Sequence, residues 1–154
     1  MNLSSTLIGL GILMLFIGPI ILLIINQNRK TNSHKKQLMK FAQENDLRLS
    51  VFEIDPSILI GFDNSQKKII YTEPSEKNKF HIINLKEITQ VKIRTIDFPE
   101  REGKMNFISL IFSGKTQTEK QEMIFYDENI DAAPDSEVQY QLAKKWHTIL
   151  QNHI

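Results

Sequence analysis

Hydrophobic and polar positions follow three different rhythms along this chain, and each change of rhythm marks an element. From 7 to 25 there is no alternation at all: LIGLGILMLFIGPIILLII runs nineteen residues without a charge or a strong polar group. A helix of that length spans roughly 28 Å, close to the hydrocarbon thickness of a bilayer. A soluble core helix would carry a polar stripe. A cleaved signal peptide would want a basic start, a shorter apolar run and a small-residue cleavage site. Here MNLSST precedes the run and NQNRK follows it, so a retained single-pass anchor over 1–28 is expected.

Next comes a short helical rhythm. HKKQLMKFAQEND (34–46) places Leu38, Phe41 and Ala42 on one side, which predicts a short amphipathic helix within a basic linker, 29–46. From there the period becomes two. LRLSVFEI (47–54) puts Leu47, Leu49 and Val51 on one face of an expected strand. ILIGFD (58–63) and KIIYTE (68–73) flank the turn-rich NSQK and read as a hairpin. KFHIIN (79–84), ITQVKIRTID (88–97), MNFISLIFS (105–113) and KQEMIFYD (120–127) complete seven strand candidates. The segment 105–113 is nearly all apolar, which predicts cover on both faces. Seven short strands with regularly spaced turns suggest a small barrel or sandwich.

The tail reverts to the helical period. Ser136 with Gln139 three residues later forms a capping-box pattern. Val138, Leu142, Trp146, Ile149, Leu150 and His153 then recur at three and four, predicting one broad apolar stripe. A seven-stranded barrel leaves a mouth open, and an amphipathic helix laid across it would bury both surfaces. Trp146 is the chain's one tryptophan. It is expected at the centre of that plug with Leu142, Ile149 and Leu150, its indole N–H finding an acceptor.

Charge changes the picture in two places. Arg29, Lys30, Lys35, Lys36 and Lys40 follow the apolar run with no acid among them. The excess of cations on that side predicts a cytoplasmic C-terminal domain and an N-terminus outside the cell membrane. The same five residues form a basic cluster within reach of anionic headgroups. Beyond residue 40, 14 lysines and arginines face 18 acids, a net of −4 for 41–154. An acidic body is a poor match for nucleic acid, which needs a basic footprint. Within the expected anchor, Ser4, Gly11 and Gly18 fall seven apart on one helix face, where small residues favour self-association.

Seven strands followed by one helix bearing Trp146, with Ile149 and Leu150 after it, resemble the pleckstrin-homology (PH)-like fold. IGFDNSQKKIIY (60–71) and NLKEITQVKI (84–93) look like the bacterial membrane-anchored members of that family. The resemblance covers about residues 47–152. It implies an α+β chain: a single N-terminal transmembrane helix, then a PH-like barrel or sandwich of about seven antiparallel strands over 47–154, capped by the C-terminal helix. Lipid-binding PH domains use basic residues around the first hairpin, and 49–66 contains neither lysine nor arginine.

Little in the chain points to catalysis. Cysteine is absent, which excludes thiolate metal sites and cysteine nucleophiles. His34, His81, His147 and His153 lack metal-ligand spacing, and no nucleotide-binding or hydrolase motif occurs. DENIDAAPDSE (127–137) begins like a calcium loop with Asp127, Asn129 and Asp131, but has Ala132 where glycine belongs and Val138 in place of the bidentate glutamate. No metal, cofactor or catalytic residue is therefore expected. The expected function is a non-catalytic module for protein interaction or scaffolding at the membrane, through strand edges and the charged loop FPEREGK (98–104). Lipid binding or sensing at the inner membrane surface is the alternative. A pocket lined by His81 and several carboxylates would instead point to an enzyme.

Overall fold

The computed structural model describes residues 31–97, 104–114, 120–130 and 135–154, with the side chains of 77 and 78 excepted. Residues 31–44 are helical (α1). Seven strands follow: β1 (Val51–Ile54), β2 (Leu59–Asp63), β3 (Lys68–Glu73), β4 (Glu76–Asn84), β5 (Ile88–Asp97), β6 (Met105–Gly114) and β7 (Lys120–Asp127). Helix α2 (Ser136–Gln151) closes the order. The strands make two antiparallel sheets, β1-β2-β3-β4 and β5-β6-β7. A 3₁₀ turn at Leu85–Glu87 links the sheets, capped by Asn84, whose side chain accepts from the Lys86 N–H.

Chain contacts divide the molecule into 1–36 and 37–154. In the second unit the main core lies between the sheets. Ile60, Phe62, Ile69 and Ile83 from the first sheet meet Ile108, Leu110, Phe112, Met123 and Phe125 from the second, and Ala143, Trp146 and Leu150 of α2 complete it. A second, smaller core lies on the opposite face of the first sheet. There Leu38 and Ala42 of α1, with Leu47, cover Leu59 and Ile70, and Phe41 stacks on Phe80 at 4.6 Å. Leu49 lies over Gly61, where a Cβ would come within 2.6 Å of its Cδ1. The glycine is there because the chain crosses close above the sheet.

Several expectations need correction. No helix among the described residues is long and apolar enough to cross a membrane. Both described helices bury one face and expose the other, so neither supports the membrane, transmembrane or single-pass assignment. The run 7–25, its face of Ser4, Gly11 and Gly18, and Arg29 and Lys30 lie outside the described residues. The first strand is shorter than 47–54: pairing begins at Val51, opposite Phe62. Leu47 and Leu49 instead pack onto the sheet's second core, and Val51 is left exposed. The strand 105–113 is covered on its core face by Ile108, Leu110 and Phe112 burial, while Phe107 and Ile111 on the other face stay half-buried.

The helix stripe is also rotated. The residues of α2 that are buried are Gln139, Ala143, Trp146 and Leu150, whereas Val138 is 57% exposed. The N-cap is Asp135, which accepts from the Glu137 N–H, not Ser136. Gln139 reaches away from the cap to Asp55 Oδ1 at 3.1 Å. That bond lowers the cost of burying the Gln139 amide.

Candidate interaction surface

Trp146 is fully buried in the main core, with Leu150 beside it, and Leu142 and Ile149 packed at its rim. The helix bears on all three strands of the second sheet. Gln139 to Asp55 and an ion pair of Lys145 with Glu53 tie it to β1 and the residue after it. Among the described residues the indole Nε1 has no hydrogen-bond partner, where an acceptor was expected.

The polar groups of the described core serve the fold. Asp63 is fully buried at the end of β2. It accepts from the N–H groups of Arg48 (2.6 Å), Ser65 (2.7 Å) and Gln66 (3.0 Å) and from the Ser65 hydroxyl (2.5 Å). Burial pushes its carboxyl up, but those donors together outweigh burial and hold it at about 2. It thereby anchors both the segment before β1 and the β2–β3 turn. Asp55 accepts from the Ser57 N–H as well as from Gln139. Buried Ser109 donates to Glu122 Oε1 at 2.6 Å.

His81 stacks on Tyr71 at 5.2 Å, and its Nε2 lies 3.5 Å from Glu76 Oε2, an ion-pair distance without hydrogen-bond geometry. Glu76 is held below the usual carboxylate range by its hydrogen bond to Lys79, helped by His81. Burial pushes the Tyr71 hydroxyl up to about 12, with Glu73 adding to it. A pocket of about 410 Å³ lies elsewhere, lined by Gln37, Lys40, Phe41, Glu44 and Phe80. Its residues are an aromatic pair and an i, i+4 ion pair, Lys40 to Glu44 at 3.7 Å. Lys35 and Lys36 are exposed on α1. In the loop after β7, Asp127 Oδ1 accepts from the N–H and Nδ2 of Asn129, an Asx turn. Among the described residues no group of three or more His, Asp or Glu side chains could hold a metal ion.

The strand edges differ in how they are occupied. β1 is four residues long and held at Glu53 by α2. On β7 the Glu122 carbonyl accepts from the Tyr71 hydroxyl at 3.3 Å. β5 is ten residues long, and its last four residues are all exposed. At Val91 its carbonyl is 3.2 Å from His147 Nε2 of α2, which donates to it. Of the contact zone expected from sequence, residues 98–103 lie outside the described residues.

The direction of β5's main-chain groups was not legible from side-chain alternation, because it depends on pairing. The Glu122 carbonyl accepts from Tyr71 and so turns away from β6, and Glu122 pairs with Ile111, so Ile111 faces β5. No register shift interrupts the β5–β6 pairing between Lys92 and Ile96, so by alternation Ser109 and Phe107 face β5 too, pairing with Arg94 and Ile96 as Ile111 pairs with Lys92. Val91, Ile93 and Thr95 consequently turn their N–H and C=O groups to the open side. The His147 contact at the Val91 carbonyl fits the same phase. Comparison with family models, curated proteins and solved structures returns no match to this chain.

Proposed function

We propose that residues 37–154 form a non-catalytic, PH-like interaction module that takes an extended segment of a partner protein onto the free edge of β5. What supports this reading is the phase of that strand. Ile93 and Thr95 direct four main-chain groups outward with no hydrogen-bond partner among the described residues. An unpaired edge of this kind accepts an added strand, main-chain bonds giving affinity and flanking side chains giving choice. The non-catalytic part rests on use: Asp55, Asp63 and Ser109 are engaged in holding turns, helix and sheet.

The test is a selection of random twelve-residue peptides against the full chain, repeated on Thr95→Pro. Proline removes an outward N–H and leaves the β5–β6 ladder whole. Enriched peptides that lose binding to a folded Thr95→Pro variant are expected. Enrichment that the variant leaves intact, or no enrichment, would refute the edge as the contact.

A further inference from the structure

The side chains beside the open edge say what kind of segment fits it. Lys92, Arg94 and Ile96 project from β5 on the face opposite the core, in register with Ile111, Ser109 and Phe107 of β6. Lys92 is exposed and has no ion-pair partner among the described residues. Arg94 lies over the Phe107 ring at 5.6 Å and reaches Glu122 at 3.4 Å. Ser109 shares that same Glu122 oxygen at 2.6 Å. Two cations thus stand against one carboxylate already engaged. Ile96, two residues on, is 43% exposed.

We infer that the occupant of the β5 edge is an acidic, extended peptide segment of another protein. Its carboxylates lie at alternate positions facing Lys92 and Arg94, and an apolar side chain meets Ile96. This rests on the reading of β5 as the contact strand and adds the chemistry of the partner. Opposite charges across neighbouring strands stabilise the pairing, and like charges oppose it. The same rule disfavours a second copy of this chain. Symmetric antiparallel pairing centred on Arg94 sets Arg94 against Arg94, and pairing centred on Ile93 sets Lys92 against Arg94.

His147 gives the site a stop. Its bond to the Val91 carbonyl occupies the outward group nearest α2, so pairing begins at Ile93 and runs toward Thr95. Tyr140 and Lys144 lie seven and three residues before His147 on the same helix face. Lys144 stands 5.5 Å over the Tyr140 ring and is exposed. A third cation therefore flanks the helix side of the edge.

The experiment uses the full chain and three labelled nine-residue peptides. Each alternates threonine with a variable residue, glutamate, lysine or glutamine, and each carries isoleucine at the place due to face Ile96. Anisotropy titrations give affinity, and amide chemical shifts of Ile93 and Thr95 report the place of binding without any mutation. The glutamate peptide should bind at least tenfold more tightly than the lysine peptide and shift both amides. Lys92→Glu should narrow or reverse that preference, because it changes charge and leaves the main chain alone. Binding of all three peptides with equal affinity at the shifted amides would overturn the acidic partner and leave the edge reading standing. Binding that moves neither amide would overturn both. Absence of binding by the glutamate peptide would overturn the acidic partner. The edge reading is then decided separately by the random-peptide selection. A concentration-dependent dimer abolished by Thr95→Pro would put a second copy at the edge and refute the inference.

Discussion

Trp146 offers a sharp test, because its two halves act on stability in opposite directions. Truncation to alanine removes the central side chain of the main core, where Trp146 is fully buried. Loss of transfer energy and the cavity left behind should cost about 3–5 kcal/mol. Phenylalanine keeps six ring atoms and removes two carbons and the indole nitrogen. At about 0.8 kcal/mol per buried carbon, the lost carbons cost about 1.6 kcal/mol. The nitrogen, however, has no hydrogen-bond partner among the described residues, and an unsatisfied buried donor costs about 1–3 kcal/mol. Removing it offsets the lost area, so Trp146→Phe should stay within about 1 kcal/mol of the natural protein. Urea unfolding of the full chain, followed by far-ultraviolet circular dichroism, measures both variants without relying on the indole as reporter. Their m-values should agree if only stability changes. A phenylalanine variant that loses 3 kcal/mol or more would refute the reasoning. It would mean that the N–H contributes favourably and is bonded in the folded protein.

Asp63→Asn should destabilise the fold by about 2 kcal/mol at neutral pH, since the gap between the ordinary carboxyl value of 3.8 and about 2 corresponds to that energy. The folded value is depressed, so this stability is fully present above pH 4 and is lost as pH falls through about 2. An acid titration of stability should show that loss in the natural protein and not in the variant. Gly61→Ala should cost about 1–3 kcal/mol from overpacking, because its methyl would lie 2.6 Å and 3.0 Å from the Leu49 methyls and 3.2 Å from Ile70 Cγ1. Combined with Leu49→Ala it should cost less than the sum of the two, a coupling that a double-mutant cycle reads directly. Glu53→Gln should change stability by less than about 1 kcal/mol, since Glu53 is only half-buried and its partner Lys145 is exposed. A larger effect would show that α2 depends on that tether.

What could be read from the chain divides along a physical line. KIIYTE, buried at four consecutive positions, is legible from the turn before it. Period-two alternation located ITQVKIRTID, because a half-buried strand imposes its pleat on side-chain polarity. The same rule failed at 47–54. Leu47 and Leu49 alternate like strand residues, yet they are apolar because they and α1 cover the outside of the first sheet. Alternation reports burial, and burial does not reveal whether the covering partner is a sheet or a helix. The α2 stripe erred for the converse reason. Gln139 reads as an exposed residue and a cap partner, but it is buried against Asp55, 84 residues away in sequence. No local pattern encodes such a bond. The open edge lies further still from sequence. Side chains disclose which face of β5 meets the core, whereas the outward turn of Ile93 and Thr95 is set by the pairing phase, which follows from the Glu122 carbonyl turning to Tyr71 and the Val91 carbonyl turning to His147. The chemistry of Lys92, Arg94 and Ile96 was visible in the sequence all along. Only the pairing makes those residues neighbours of unfilled main-chain groups.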